Sequence, residues 1–319
     1  MARSHAAAQL ARHAIASLYD ELALYPKPGL VSLRDSGAHA DMNAGTFMRS
    51  LFALRGYFKA VAEAGARMAP FDQLRQLGVE AERRMIAATG GVNTHRGAIF
   101  SVGLLCAAAA SVRAAGVPPS DIALRRALTQ WLPALRSSHA RFPAVLAHGE
   151  LVSHRVGAAA AGGEALPSHR ELVCLRAGAA GAAGEALVSH GELASLRFGA
   201  AGARGEALAS FPSVFELALP ALRSALEQGA ETDAARVHAF FTLLAVVEDT
   251  NLLYRGGRAG LSLLRDEARA FLARGSVFRR GCMEDAERLH RRCCELGLSP
   301  GGCADLLSAS CFVHRLQTL

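Results

Sequence analysis

Apolar positions along this chain recur every three and four residues, the period of a helix with one buried face. Leu10, Ala14, Leu18 and Leu22 form the first such stripe and predict a helix capped by Ser4 and reaching about Tyr25. Tyr25-Pro26-Lys27-Pro28-Gly29 ends it, because two prolines and a glycine cannot continue the ladder. Phe47, Leu51, Leu54, Phe58 and Val61 predict a second helix starting at Asn43. Leu74, Leu77, Ala81 and Met85 predict a third, from about Pro70 to Ala88. Ala98–Val112 is nearly uniformly apolar and predicts a core helix, with Thr94 as its cap and Gly90-Gly91 stopping the helix before it. Ser120 predicts the cap of a helix containing Trp131. Further helices follow from Ser213 to about Gln228 and from a Thr232 or Asp233 cap through Val247. Two more precede Ser299-Pro300-Gly301-Gly302, which opens a last one. No segment alternates like a strand. The expected fold is all-α: a single-domain, multi-helix bundle with buried central helices over residues 1–319.

One stretch departs from this pattern. Residues 148–210 are three tandem copies of a 21-residue unit, His148–Ser168, His169–Ser189 and His190–Ser210. Each follows His-x-Glu-Leu, then Gly/Ala-rich sequence, then Gly-Glu-Ala-Leu-x-Ser. The unit lacks a leucine-rich repeat pattern and offers little to pack, which predicts a Gly/Ala-rich surface insertion rather than a solenoid.

Composition supports helices: hydrophobic residues make up 51% of the 319 but aromatic ones only 6%, with few of the β-branched residues a sandwich needs. The net charge is +7, and the basic residues are almost all arginine, which suits planar anions such as phosphate. The arginines are scattered along helical faces, so nucleic acid is not an expected partner. No leader is read at the amino end, and Ala98–Val112 is short of the roughly 20 residues of a membrane span, so a cytoplasmic, non-membrane protein is expected. Seven cysteines fit reduced thiols there. The Cys and His residues near the carboxyl end match no structural zinc spacing.

Four polar clusters share one habit: each lies where an apolar helix begins or ends. They are Lys27–Asp41, Asn93–Arg96, Glu248–Arg255 and Ser299–Asp305. Facing helices of a bundle can project such groups into one pocket. Asp35, Asp41, Glu248 and Asp249 are the acidic candidates; acids beside arginines suit Mg2+ held through a nucleotide's phosphates. Asp249 follows a long uncharged run and should point inward. His39 and His95 are acid or base candidates. Lys27, Arg96 and Arg255 are candidate phosphate clamps, and the α-helical start at Asn93-Thr94-His95-Arg96 is a seat for anions. Neither lysine stands in a Gly-x4-Gly-Lys-Ser/Thr setting, which excludes a P-loop.

The clusters, in this order, resemble the triphosphoribosyl-dephospho-CoA synthase family. The matching stretches are Glu21-Leu-Ala-Leu-Tyr-Pro-Lys-Pro-Gly-Leu-Val31, Asp35-Ser-Gly-Ala-His-Ala-Asp-Met42, and Gly90-Gly-Val-Asn-Thr-His-Arg-Gly-Ala-Ile-Phe100. Glu248-Asp-Thr-Asn-Leu-Leu-Tyr-Arg-Gly-Gly257 and Leu298-Ser-Pro-Gly-Gly-Cys-Ala-Asp-Leu-Leu307 complete them. The first two look most like the malonate decarboxylase branch. Tyr254 and Cys303 depart from the family's pattern, where histidine and serine are expected. The family carries one unit like His190–Ser210, so 148–189 reads as added material.

The resemblance implies that ATP gives its triphosphoribosyl group to the ribose 2′-hydroxyl of 3′-dephospho-CoA, with adenine leaving. The product is the prosthetic-group precursor for the acyl carrier protein of malonate decarboxylase or citrate lyase. Displacement at the ribose C1 passes through an oxocarbenium-like state, which asks for a carboxylate near the sugar, a base and an acid. Asp35 or Asp249 would serve the first two tasks, and His39 or His95 the third. Asp41 and Glu248 would hold Mg2+, while Lys27, Asn93, Thr94, Arg96, Asn251, Arg255 and Asp305 would bind the nucleotide. The enzymatic rival is an all-α, metal-dependent hydrolase of nucleotide or ADP-ribosyl substrates, using the same acids but passing the group to water. A non-enzymatic helical adaptor would leave the polar clusters unexplained.

Overall fold

The helical pattern written in the sequence sets the architecture. The computed structural model describes residues 2–137, 193–194 and 197–318, and among them eleven α-helices and no strand occur. The first, α1, spans Ala2–Ala23 and buries Leu10, Ala14, Leu18 and Leu22. Ser4 lies inside it rather than capping it, because Ala2 and Arg3 are good helix formers that extend the winding upstream. The next helix, α2 (Ala44–Ala66), opens with a capping box: Asn43 Oδ1 accepts the Thr46 N–H at 3.1 Å, and Thr46 Oγ1 accepts the Asn43 N–H at 3.3 Å. After α3 (Phe71–Ala88), Gly90 and Gly91 both take positive φ, and the Gly91 N–H closes on the Ile86 carbonyl at 2.8 Å.

The core helix α4 spans Arg96–Ala114 and packs against α1, α2, α3, α5 (Asp121–Leu128) and the last helix, α11 (Gly301–Thr318). Its N-cap is His95, not Thr94; Asn93 Oδ1 takes the Arg96 N–H at 3.2 Å. The helix is 19 residues long, enough by length and composition to cross a membrane, yet 72% of its apolar window is buried inside the fold. Ser120 caps α5, with its Oγ accepting the Ala123 N–H. Trp131 falls in the 3-10 turn that follows, Thr129–Trp131, where its indole N–H is pinned to the Ala69 carbonyl at 2.9 Å.

The repeats at 148–189 lie outside the described residues. The end of the third copy packs into the core through Ala194, Ala200 and Ala207, and contains α6 (Gly202–Leu208). The single helix expected over 213–228 is instead a π turn, Ser213–Ala218, running into α7 (Leu219–Glu227). Pro220 has no N–H to give the Glu216 carbonyl, which accounts for the wider turn. The expected Thr232 or Asp233 cap is Glu231, one residue earlier, and α8 spans Thr232–Val246. It is followed by α9 (Thr250–Ala273), kinked at Gly257, and α10 (Cys282–Glu295).

Candidate active site

The proline-broken loop after α1 is anchored from below and from the side. Lys27 is fully buried; its ammonium meets the Glu21 carboxylate, the Glu21 carbonyl and the Val31 carbonyl, one acceptor for each proton. It is therefore a strut of this loop, with no proton left over for a phosphate. Gly29 takes φ +71°, and a Cβ there would lie 1.9 Å from the Leu298 carbonyl oxygen, so only glycine lets this loop touch the segment before α11. His290 of α10 clamps the loop's two arms. Its Nδ1 lies 2.8 Å from the Lys27 carbonyl and 3.2 Å from the Gly29 nitrogen, while Nε2 lies 3.2 Å from Asp35 Oδ1. Asp35 also accepts the Gly37 N–H at 2.9 Å and keeps its side chain 40% exposed, at the rim.

His39 joins three of the four clusters. Arg255 Nη2 donates to its Nδ1 at 3.0 Å, and Nε2 faces Ser299 Oγ at 2.8 Å. Arg255 also reaches the Gly297 carbonyl at 3.3 Å. Burial, then the Arg255 charge, push the His39 imidazole down to about 4, so it is neutral at neutral pH. Because Arg255 can only donate, Nδ1 is the bare nitrogen, and Nε2–H donates to Ser299.

Asp249 points inward, as its place after an uncharged run implies. Its Oδ1 accepts the N–H groups of Asn251 and Leu252 at 2.8 and 3.1 Å, and its Oδ2 accepts that of Cys303 at 2.7 Å. One carboxylate thus caps the starts of both α9 and α11. Burial raises its pKa while these N–H groups hold it down. Cys303 adds its thiol to the same carboxylate, the place where a serine is expected.

Asp305 does the corresponding work at α4. Its carboxylate accepts the Ala98 N–H, and a Cβ on Gly97 would lie 1.9 Å from its Oδ2. Burial, then the charges of Glu21 and Asp249, push this carboxyl well above the usual range, against the Ala98 N–H.

His95 completes the set. Its Nδ1 lies 2.6 Å from Ser50 Oγ on α2, its ring packs edge-on to Phe47 at 4.8 Å, and the residue is buried. Burial, then the Lys27 charge, push it down to about 3. Its Nε2 and the Thr94 Oγ1 are both buried with no partner among the described residues. Beside them Arg96 pairs with Glu82 at 3.1 Å and keeps 23% of its side chain exposed.

The four clusters therefore meet around the starts of α4, α9 and α11. Asp41 and Glu248 are both exposed; Asp41 lies at the rim, its Oδ1 3.6 Å from His39 Nδ1. Among the described residues no three His, Cys, Asp or Glu side chains are grouped to hold a metal ion. The two acids proposed as Mg2+ ligands thus form no preassembled cage. Two surface depressions, one lined by Ala7, Leu10 and Arg113 and one by Asp20, Arg236 and His314, share none of these residues.

A family described as ATP:dephospho-CoA triphosphoribosyl transferase matches residues 7–319. The chain belongs to the ATP:dephospho-CoA triphosphoribosyl transferase family. Relatives named "Probable 2-(5''-triphosphoribosyl)-3'-dephosphocoenzyme-A synthase" agree. That of Azotobacter vinelandii is 35% identical over 99% of this chain and 94% of its own. That of Pseudomonas paraeruginosa is 38% identical over 96% and 90%, and that of Acinetobacter calcoaceticus 31% identical over 94% and 88%. No solved structure matches the chain.

For this transferase, sequence reasoning gave no role to Glu21, Ser50 and His290, and none to Ser299 beyond membership of its cluster. Glu21 lay inside a quoted motif without a role, and His290 drew notice only as a zinc candidate. Ser50 had no signal at all: it is one small residue within a helical stripe, and its partner is 45 residues away.

Proposed function

We propose that the chain moves the 5-triphosphoribosyl group of ATP to the ribose 2′-hydroxyl of 3′-dephospho-CoA. The C1–N9 bond of ATP breaks, a C1–O2′ bond forms, the hydroxyl proton goes to a base, and adenine leaves with a proton. The observation that carries this reading is Asp305: a buried carboxyl at the start of α4 that burial and the charges of Glu21 and Asp249 push well above the usual carboxylate range. Such a group can protonate a departing base. The neutral state of His39 and His95 removes them from that task at neutral pH, and Asp305 takes it over.

Asp35, exposed at the rim and oriented by His290, is the base for the 2′-hydroxyl and faces the charge developing on the sugar. Asp249 spends its oxygens on two helix starts and acts through them. Arg96 and Arg255, with Asn93, Thr94 and Asn251, take the triphosphate, and Lys27 supports the loop beneath. Asp41 and Glu248 would be the acids available to a Mg2+ ion carried by the triphosphate, which would offset phosphate charge; no step above depends on it. The chain is read as one catalytic domain over residues 1–319, working in the cytoplasm. The motif wording favours a product passed on toward the acyl carrier protein of malonate decarboxylase.

Adenine release tests this reading. It should require 3′-dephospho-CoA, and an acceptor lacking the 2′-hydroxyl should give none. Adenine released at the same rate without acceptor would mean hydrolysis and would overturn the proposal.

A further inference from the structure

Several helical serines in this protein donate their hydroxyl proton to a backbone carbonyl one turn back. Ser17, Ser101 and Ser310 each donate to the carbonyl four residues back, that of His13, Gly97 and Leu306 respectively. Ser50, fully buried in the second turn of α2, does not. Among the described residues its hydroxyl has one partner, His95 Nδ1 at 2.6 Å.

That contact can run in two directions. If Nδ1–H donated to Ser50, the serine proton would be buried with no acceptor. If Ser50 donates to Nδ1, its proton is satisfied and the ring proton stands on Nε2. The second arrangement leaves one buried N–H without an acceptor among the described residues: that of Nε2. Thr94 Oγ1 beside it is unpartnered too, and Arg96 follows at the start of a 19-residue helix. An unfilled donor and a hydroxyl at a helix start, with the Glu82-paired Arg96 adding positive charge nearby, suit one ligand, an anionic oxygen.

We infer that Ser50 is a positioning residue: it fixes His95 in the Nε2–H tautomer, so that the ring is a neutral donor to a substrate phosphate oxygen rather than a proton carrier. The T-shaped contact with Phe47 helps hold the ring's plane. The identity of the anion as ATP's triphosphate rests on the function proposed above; the tautomer does not.

The test uses the full chain labelled with 15N at histidine, with the His95 signals assigned from a His95→Gln variant. Nitrogen–proton correlation spectra should show Nδ1 bare and Nε2 protonated. Inorganic tripolyphosphate should shift the Nε2–H signal. Ser50→Ala should mix the tautomers and weaken tripolyphosphate binding roughly tenfold, and Ser50→Thr should restore both; a tenfold loss is the scale of one good hydrogen bond. In turnover, Ser50→Ala should lower kcat about tenfold and leave KM for 3′-dephospho-CoA unchanged. A proton on Nδ1 in the parent chain, or an Nε2–H signal indifferent to tripolyphosphate, would overturn the inference. Absence of turnover in the parent chain would instead sink the functional reading, with the tautomer and tripolyphosphate results standing on their own.

Discussion

Asp305 sits so tightly over Gly97 that a methyl group on that glycine would lie 1.9 Å from the carboxylate's Oδ2. The contact joins α11 to the first turn of α4, and it exists only because position 97 has no side chain. Gly97→Ala should therefore push the carboxyl off the helix start. The expected cost in stability is about 1–3 kcal/mol, with kcat falling at least about tenfold, as for a displaced catalytic group. Thermal melts and steady-state rates read both; an unchanged kcat would separate Asp305 from catalysis.

Asp305→Asn should do the opposite to stability. The native carboxyl holds its proton well above 3.8, so between 3.8 and its raised value the folded state binds more protons than the unfolded one. Stability from this group is thus lost as pH rises through that window. Asparagine keeps the acceptor for the Ala98 N–H and removes the charge that Glu21 and Asp249 oppose. Urea midpoints at pH 8 should rise in the variant while turnover falls; a lower midpoint at that pH would show the carboxylate to be a net stabiliser.

His95 gives the reverse sign. Its ring folds neutral at about 3 against 6.5 in the unfolded chain, so between those values the unfolded state binds the extra proton. Stability is full above pH 6.5 and drains as pH falls, by up to about 1.4 kcal/mol per pH unit. Acid titration of the parent chain and His95→Gln, followed by circular dichroism, should show a shallower slope in the variant. Equal slopes would mean that His95 is not the titrating group.

Much of this arrangement was legible in residue order. Leu10, Ala14, Leu18 and Leu22 fixed the inner face of α1, and the Asn43 cap, the Gly90-Gly91 stop and the Ser120 cap all stand where local chemistry asks for them. Errors fell at ends, where strong helix formers override a capping residue (Ser4) or a proline widens a turn (Pro220). In the site, the segments that motif membership gathered lie together in the fold, but the direction of each side chain was not legible. Lys27 reads as a phosphate clamp because a lysine between prolines looks presented; its ammonium is instead taken up by Glu21, six residues back. The pairing of His290 with the Lys27 carbonyl, 263 residues apart, leaves no trace in local periodicity.

The Lys27–Glu21 pair makes its own prediction. Both side chains are almost wholly buried, at 0% and 6% exposure. Lys27→Met alone leaves a buried carboxylate unpaired and should cost about 3–5 kcal/mol. Adding Glu21→Leu should recover a good part of it, because a matched apolar pair avoids the desolvation of both charges. Denaturant melts of the two singles and the double close this cycle, and additive losses would rule out direct coupling.

The most direct measurement follows a label on the γ-phosphate of ATP. Incubated with the chain, Mg2+ and 3′-dephospho-CoA, the label should appear in a CoA product that carries ribose and all three phosphates, with one adenine freed per product. Label in free phosphate, or in a CoA product gained as a lone phosphoryl group with the adenine of ATP still attached to its sugar, would contradict the account.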